Sequence, residues 1–547
     1  MRRPFQSRIV AGIILLAMGI GCSGRTTGLD GERTVPVAAS KPTPAPKPEP
    51  KPKLTPVPTP EPKPTLVPAP AGKADAHSWP MFGGTVHRNL ANAQITGLPA
   101  SWSIEEGKTQ NVKWSAKLGH KALGGPIVAG GHVYVGTNRP YDFQEEEDKG
   151  VLMCFRESDG KFLWQAVHDS NKDGTGAQGY GIVSSPCVDG NRVYYVNNRW
   201  EVICADAAGD GAKAKILWKL DMIKDLKVFP GGLAGSLSIC SPLIVEDLVY
   251  VVTANGADDK GKPPAPEAPS FIALDKKSGK VIWKDNSPGQ NIMDSQWANP
   301  AAAQVNGQWH VYFPGGDGWM YAFEAKTGKL VWKFDCNPKK AVFKAGGRGS
   351  RNYIVATPVI WENKLYIATG RQPDDGNGEG HLWCFDITKT PKNKDKDLSP
   401  VKDNFDPKAA VNKDSGLVWH YGGEVMPKPE GAGREFLFGR TVSTVAIHDG
   451  LLYAAELAGY LNCFDAKTGK KHWEFDLKAN TWSSPLYADG KVFMGTDDGS
   501  MFVFPHGKEL KKPTKIDMSD ALLSPPTAVN GVLYVSNGSN LYAIAAK

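Results

Sequence analysis

Residues 459–475 read GYLNCFDAKTGKKHWEF and bring a cysteine, an aspartate, a glycine-containing turn and a tryptophan close together. Similar stretches recur, among them GVLMCFRESDGKFLWQ, SFIALDKKSGKVIWK and GWMYAFEAKTGKLVWKF. With the weaker copies, the element occurs six times, and its copies contain Trp164, Trp218, Trp283, Trp332, Trp419 and Trp473. A pattern that recurs this often indicates a structural unit rather than a reactive site.

A second element precedes each copy and consists of a proline followed eight residues later by an aromatic residue. The pairs with this spacing are Pro126–Tyr134, Pro186–Tyr194, Pro242–Tyr250, Pro358–Tyr366, Pro485–Phe493 and Pro526–Tyr534. Val445–Tyr453 keeps the spacing without the proline, and Pro300–Tyr312 has a four-residue insertion. This element therefore occurs eight times. We call its first residue the Pro position.

Each repeat predicts four short strands. The first strand follows the Pro position, an Asp-Gly or Asn-Gly turn leads into the second, and a Lys-Thr-Gly type of turn joins the third to the fourth, which carries the tryptophan. We therefore predict an all-β protein, an eight-bladed β-propeller of four-stranded blades. The residues two before the Pro position are all small, as strands crowded around an axis require: Gly124, Ser184, Cys240, Ala298, Ala356, Ser443, Ser483 and Ser524.

The ends of the repeat region predict how the ring closes. The last repeat stops at SNLYAIAAK and lacks a tryptophan strand, whereas NVKWSAKL, with Trp114, precedes the first repeat. We expect this N-terminal strand to pair beside the C-terminal one, which removes an exposed edge. In the seventh repeat, Ile516 stands where a tryptophan is expected.

The first 77 residues differ in composition from the repeats. Residues 1–21 have a basic start and a short apolar stretch, and resemble a lipoprotein signal peptide cleaved before Cys22, which would carry the lipid. Residues 22–77 form a linker whose stretch 41–72 contains thirteen prolines and predicts an extended polyproline II spacer. Residues 78–547 form the propeller domain.

Charge and cysteine content restrict the function further. Most of the net charge of +7 lies in the signal and linker, so the nearly neutral remainder argues against nucleic acid as a partner. We expect a monomer. Four cysteines share one repeat position and should be small buried residues: Cys154, Cys204, Cys384 and Cys463. Three others are candidates for pairing in an oxidising compartment, although spacing does not give the connectivity: Cys187, Cys240 and Cys336.

The repeat motif A-x-D-x-x-T-G-x-x-x-W resembles that of the pyrroloquinoline-quinone-like propeller family. This family includes periplasmic quinoprotein dehydrogenases and lipoproteins of the outer-membrane assembly factor B type. The resemblance extends over residues 78–547, and the opening WPMFGGTVHRN looks like the variant common in planctomycete-like bacteria. It implies a location on the periplasmic side of the bacterial envelope. Because Ser23 rather than an aspartate follows Cys22, the outer membrane is favoured for the lipid anchor.

Few residues are candidates for chemistry. A quinoprotein dehydrogenase would hold a pyrroloquinoline quinone (PQQ) with calcium in the central funnel. Trp297 and Trp482 are candidates for contacting such a cofactor, although packing between strands is the simpler interpretation. Arg351 and Arg440 precede two first strands and are candidate funnel ligands, although structural ion pairs are the simpler interpretation. The calcium candidates are Asp169, Asn171 and Asp173, which match the start of a D-x-N-x-D-G calcium-binding loop. The twelfth residue of such a loop is normally Glu, but it is not Glu here.

We predict a lipid-tethered scaffold that binds protein or peptide partners in the cell envelope, with outer-membrane or envelope assembly as a candidate role and with no catalytic residues. The specificity surfaces should lie in the insertions near residues 136–150, 253–269, 370–380 and 388–415. One alternative is a periplasmic PQQ-dependent dehydrogenase acting on alcohols or sugars. A second is a carbohydrate- or polymer-binding module that uses the aromatic funnel.

Overall fold

The computed structural model describes residues 77–141, 148–170, 179–231, 237–371, 373–426 and 434–546. The predicted signal peptide, Cys22 and nearly all of the linker therefore lie outside the described residues, and the domain boundaries at 21 and 77 stay predictions. Among the described residues the structure is almost entirely β.

The strands follow the chain in short segments. The first half contains β1 (Ala91–Asn92), β2 (Val112–Lys117), β3 (Ile127–Ala129), β4 (His132–Thr137), β5 (Gly150–Arg156), β6 (Phe162–His168), β7 (Cys187–Asp189), β8 (Arg192–Val196), β9 (Glu201–Asp210), β10 (Lys213–Asp221), β11 (Leu243–Val245), β12 (Leu248–Val252), β13 (Phe271–Asp275), β14 (Val281–Asp285), β15 (Ala301–Val305), β16 (Gln308–Pro314), β17 (Trp319–Glu324) and β18 (Leu330–Asp335). The second half contains β19 (Val359–Trp361), β20 (Lys364–Thr369), β21 (His381–Asp386), β22 (Leu417–Glu424), β23 (Phe436–Phe438), β24 (Ala446–His448), β25 (Leu451–Ala455), β26 (Tyr460–Asp465), β27 (Lys471–Asp476), β28 (Leu486–Ala488), β29 (Lys491–Gly495), β30 (Ser500–Pro505), β31 (Thr514–Asp517), β32 (Thr527–Val529), β33 (Val532–Ser536) and β34 (Asn540–Ile544).

Helical segments are short. One α-helix, α1, covers Met222–Leu226, and the 3-10 turns are Gly289–Asn291, Ala345–Gly347, Pro373–Asp375 and Ala410–Asn412. The helix begins at Asp221, whose side chain accepts a hydrogen bond from the backbone N–H of Lys224.

The strands form antiparallel four-stranded units that correspond to the sequence repeats. Within the described residues these are unit 1 (β3–β6), unit 2 (β7–β10), unit 3 (β11–β14), unit 4 (β15–β18), unit 5 (β19–β22), unit 6 (β24–β27), unit 7 (β28–β31) and unit 8 (β32–β34 with β2). The predicted β-propeller architecture is confirmed. The number of separate sheets is seven, because β6 and β10 pair in parallel at Gln165 and Lys213 and join units 1 and 2 into one eight-stranded sheet.

Two sheets contain a fifth strand that the repeat pattern does not predict. β23 pairs with the outer strand β22 of unit 5, and β1 pairs in parallel with the inner strand β28 of unit 7. The closing strand was predicted correctly, since β2 pairs antiparallel with β34 and completes unit 8. The seventh repeat also keeps its fourth strand, β31, with Ile516 in place of tryptophan.

The turns have the geometry that their sequences predict. Asp449 and Gly450, which join β24 to β25, have φ of 46° and 73°. Two successive positive φ angles are those of a type I′ turn, whose twist matches that of a β-hairpin. Asp489 and Gly490 in unit 7 have φ of 51° and 67°.

Tryptophans of the outer strands join six of the units described here to the next unit. The Nε1 atoms of Trp114, Trp164, Trp218, Trp283, Trp419 and Trp473 donate hydrogen bonds of 2.8–3.1 Å to the carbonyls of Glu157, Ala207, Lys276, Ala325, Ala466 and Gly507, respectively. The turn glycine of the next unit lies against the ring. At Gly469, φ is +71° and a Cβ atom would lie 2.6 Å from Cδ2 of Trp419. Both the backbone conformation and the close approach therefore require glycine here.

All seven cysteines in the described part of the chain are buried and unpaired. The four at the shared repeat position lie on third strands within the packing between units, as the sequence predicts. The pairing considered for Cys187, Cys240 and Cys336 is not formed in this structure.

Candidate functional site: the central channel

The innermost strands surround one cavity of about 120 Å3. Equivalent residues from all the units line it. The lining residues that lie three before the Pro position are Leu123, Val183, Ile239, Trp297, Val355, Val442, Trp482 and Leu523. The lining residues that lie one before the Pro position are Gly125, Ser185, Ser241, Asn299, Thr357, Thr444, Ser484 and Pro525. Because equivalent residues converge there, the cavity lies on the axis of the propeller.

The polar residues of the lining bond to one another around the channel. Ser185 N–H donates to Ser241 Oγ at 2.9 Å, and Ser241 N–H donates to Asn299 Oδ1. The amide of Asn299 then donates to Thr357 Oγ1 at 2.8 Å, and Thr357 N–H donates to Thr444 Oγ1 at 3.2 Å. These hydrogen bonds run from unit to unit, so much of the polar capacity of the lining is used within the protein.

The two candidate tryptophans do line the channel. Trp297 is 9% exposed, and its indole N–H is buried without a hydrogen-bond partner among the described residues. Trp482 is half-buried. The structure therefore places both rings at the same cavity.

Arg351 does not line this cavity but forms a buried ion pair. Its Nη2 and Nη1 atoms lie 2.6 and 3.3 Å from the two carboxylate oxygens of Asp335, and its Nε donates to the carbonyl of Asp317 at 2.9 Å. The side chain of Asp317 accepts a 2.5 Å hydrogen bond from the hydroxyl of Tyr321, and burial raises the pKa of Asp317 to about 6. In these contacts Arg351 fixes the connection between β18 and β19.

Arg440 holds a loop over one end of the channel. Its Nη1 donates to the carbonyls of Asp375 and Gly376 at 3.0 and 3.4 Å, and Pro373, from the same loop, lines the central cavity. Burial and the neighbouring Arg371 guanidinium lower the pKa of Arg440. The Nε of Arg440 is buried without a partner among the described residues, so one donor stays available beneath the loop.

The loops near Arg440 define one face of the ring. In an antiparallel four-stranded unit, the connection between the second and third strands lies at the end where the first strand begins. The described residues of the connections 138–149, 253–270 and 370–380, and of those between successive units, share this end, which we call the mouth face. Insertion 388–415 joins a third strand to a fourth and pairs with β18 through Lys333 and Asp397, and its Asp403 accepts a 2.9 Å hydrogen bond from the backbone N–H of Lys340 in the connection between β18 and β19.

The other end of the channel is crossed by the segment 79–92, before the first repeat. This segment hydrogen-bonds the backbone of residues two positions after the Pro position in seven units, namely Val128, Val188, Ala302, Ile360, Ile447, Tyr487 and Ala528. Phe82 of the segment lines the central cavity. We call this end the opposite face. The repeat pattern does not predict that this segment crosses the channel, although the segment has the distinctive sequence WPMFGGTVHRN.

Arg88 anchors this segment. Its side chain is fully buried and donates to the carbonyls of Pro300, Phe82, Ser241 and Pro242 at 2.8, 2.9, 3.0 and 3.0 Å. Burial lowers the pKa of Arg88 to about 10, so the guanidinium stays charged at neutral pH. A planar guanidinium with several donors suits such a ring of carbonyls.

The calcium candidates are only partly described. Asp169 lies 3.0 Å from Lys149 Nζ, so a cation of the protein already faces its carboxylate. Asn171 and Asp173 lie outside the described residues. The calcium loop therefore stays a prediction.

The sequence matches the family described as "Outer membrane protein assembly factor BamB" over residues 112–227, 148–401 and 408–547. The chain belongs to this family. In keeping with this, its repeats are of the PQQ-like type. Within the described residues of this BamB-family chain, no helix has the length and apolar character needed to cross a membrane.

Known proteins with similar sequences or structures include both enzymes and BamB itself. The dehydrogenase subunit of the quinone alcohol dehydrogenase of Gluconacetobacter polyoxogenes is 28% identical over 248 residues, or 42% of this chain and 30% of that protein. This chain thus spans under a third of that relative. The structure of quinohemoprotein alcohol dehydrogenase from Comamonas testosteroni matches with TM-score 0.56 and 14% identity, covering 87% of this chain and 82% of that one. BamB from Moraxella catarrhalis matches with TM-score 0.47 and 17% identity, covering 79% and 96%. The first structural likeness shows the fold alone.

Proposed function

We propose that this BamB-family protein is a scaffold of the bacterial envelope that binds protein or peptide partners on its mouth face. The observation that carries the proposal is the chemistry of the channel. Its polar lining residues bond to each other, and the protein's own chain reaches into it from both ends through Phe82 and Pro373. A lipid anchor at Cys22, outside the described residues, is part of the same proposal.

A bound pyrroloquinoline quinone does not fit this channel. No Asp, Glu, Lys, Arg or His is among the described residues that line it, whereas the quinone carries carboxylates and is held with calcium. Phe82 and Pro373 also occupy part of the channel, so a fused tricyclic quinone would have to share this space with the protein's own chain. The quinone dehydrogenase remains the second candidate function, because the sequence similarity to such an enzyme favours it.

The mouth face offers a basic and apolar binding surface. The connection between β18 and β19 exposes Lys340, Lys344 and Arg348, and between them Val342 and Phe343 are 51% and 41% exposed. Apolar side chains of this size among cations suit a peptide segment that combines acidic and apolar residues. We name residues 339–348 the basic loop.

Site-specific photo-crosslinking tests the scaffold proposal. A photoreactive amino acid replaces Phe343 in the full-length protein, and in a control variant it replaces Lys277, an exposed residue on the opposite face. In native envelopes we expect discrete crosslinked protein species from position 343 and none of them from position 277. Equal patterns from both positions, or no crosslinks at 343, would contradict binding at the basic loop.

Quinone binding tests the second candidate. The full-length protein is titrated with pyrroloquinoline quinone and Ca²⁺ while tryptophan fluorescence is followed, and dye reduction is measured with alcohols and sugars. We expect neither stoichiometric quenching nor turnover. Saturable one-to-one quenching together with dye reduction would establish the dehydrogenase and refute the argument from the channel lining.

A further inference from the structure

Three metal-ligating side chains meet on the opposite face, where units 6 and 7 adjoin. His448 ends β24, Asp449 follows it in the type I′ turn, and His506 directly follows β30 of the next unit. One potential ligand atom from each lies within 4.8 Å of the others. His448 Nε2 and Asp449 Oδ2 are 3.2 Å apart.

These distances are compatible with one metal ion. With bonds of about 2.0–2.2 Å, tetrahedral coordination places neighbouring ligand atoms about 3.3–3.6 Å apart. The separation of His448 and Asp449 already fits. The ligand atom of His506 lies within 4.8 Å of the other two, so side-chain shifts of roughly 1 Å would complete the set of three ligands.

The surrounding contacts orient both imidazoles. The Nδ1 atom of His506 lies 2.8 Å from the hydroxyl of Tyr453, which leaves Nε2 of that ring for a metal. The ring of His448 stacks on Tyr487, with centroids 3.8 Å apart. Both imidazoles are partly buried against these aromatic rings.

We propose that His448, Asp449 and His506 bind a divalent transition-metal ion of the zinc type that links units 6 and 7. Two imidazoles and one carboxylate are a ligand set that such ions accept, with water in the remaining position. The ion would add to the hydrogen bond from Trp473 Nε1 to the carbonyl of Gly507, which already joins units 6 and 7.

The test uses the full-length protein without a polyhistidine tag. Calorimetric titration with ZnCl2 after chelator treatment should show one site per chain, and the melting temperature should rise by about 2 °C or more in excess Zn²⁺. The variants Asp449→Asn and His506→Ala should each weaken binding at least tenfold. The control variant His120→Ala removes an exposed histidine on the mouth face and should bind like the unmodified protein.

Cobalt gives a second readout that does not depend on stability. Co²⁺ in a site with two imidazoles and one carboxylate should give visible absorption bands of tetrahedral type, which Asp449→Asn and His506→Ala should abolish while metal-free circular dichroism stays unchanged. The proposal is overturned if no binding occurs at 100-fold excess Zn²⁺ over protein. It is equally overturned if both variants bind as the unmodified protein does, which would mean adventitious surface binding only.

Discussion

Replacing Arg88 with methionine should release the segment that closes the opposite face. Four hydrogen bonds from a charged donor, at about 1.5–3 kcal/mol each, amount to about 6–12 kcal/mol. Burying the guanidinium opposes this, because lowering its pKa from 12.5 to about 10 corresponds to about 3 kcal/mol. We therefore expect Arg88→Met to lower the free energy of unfolding by about 3 kcal/mol or more.

Hydrogen exchange can show whether the loss occurs where the structure places it. The backbone N–H groups of Val188, Ala302, Ile360 and Tyr487 donate to the segment, so peptides containing them should exchange faster in Arg88→Met. Chemical denaturation gives the free energy of unfolding. The control Arg156→Met removes only an exposed ion pair and should cost less than about 1 kcal/mol. A loss below about 1 kcal/mol in Arg88→Met, with unchanged exchange at these amides, would refute the anchoring role.

The remaining predictions concern the junctions between units and one buried carboxyl group. Trp419 Nε1 and Tyr366 Oη both donate to the carbonyl of Ala466, so replacing both with phenylalanine should cost more than the sum of the single losses, by about 1 kcal/mol in denaturant titrations. Gly469→Ala should lower the free energy of unfolding by at least about 1–2 kcal/mol, because it puts a side chain at positive φ against the Trp419 ring. Burial raises the pKa of Asp317 from 3.8 to about 6, so the folded state binds its proton more tightly than the unfolded chain. The contribution of Asp317 to the free energy of unfolding therefore decreases by about 3 kcal/mol as the pH rises from about 4 to 7. Asp317→Asn should remove that part of the pH dependence of the free energy of unfolding.

Each of these has a result that would count against it. Additive losses in the Trp419 and Tyr366 variants would mean that the two donors do not share one acceptor in solution. For Gly469, a matched Gly450→Ala change tests positive φ without a nearby ring, and an equal loss would remove the tryptophan contact from the argument. An unchanged pH profile in Asp317→Asn would place the proton uptake elsewhere.

The fold could be predicted because the repeat carries the contacts that build it. The turn glycine and the outer-strand tryptophan recur together since each glycine lies under the tryptophan of the preceding unit. The same logic explains where the pattern fails. Trp332 has no hydrogen-bond partner among the described residues, and the unit that it faces has the insertion 388–415 in place of the usual short turn.

The channel was less predictable than the strands around it. Counting back from the Pro position places Trp297 and Trp482 at equivalent sites, and both line the cavity. Counting alone could not show that Arg351 turns toward Asp335, or that Arg440 holds the 373–376 turn, because both contacts join segments that have no fixed spacing. The metal-ligating cluster has the same character, since His506 comes from a different repeat than His448.

Segment 79–92 also bears on how the ring can serve as a scaffold. In a solenoid of repeats each unit contacts only its neighbours, so loosening one junction is a local event. Here one segment hydrogen-bonds the inner strands of seven units, and Arg88 bonds unit 3, so movement of any unit strains a shared element. The units are thus coupled from the opposite face, while the long connections lie mainly on the mouth face, where contacts such as that of Arg440 with Asp375 hold them. Insertions can therefore vary on the mouth face at little cost to the ring, and this is where a partner would find differences between otherwise equivalent repeats.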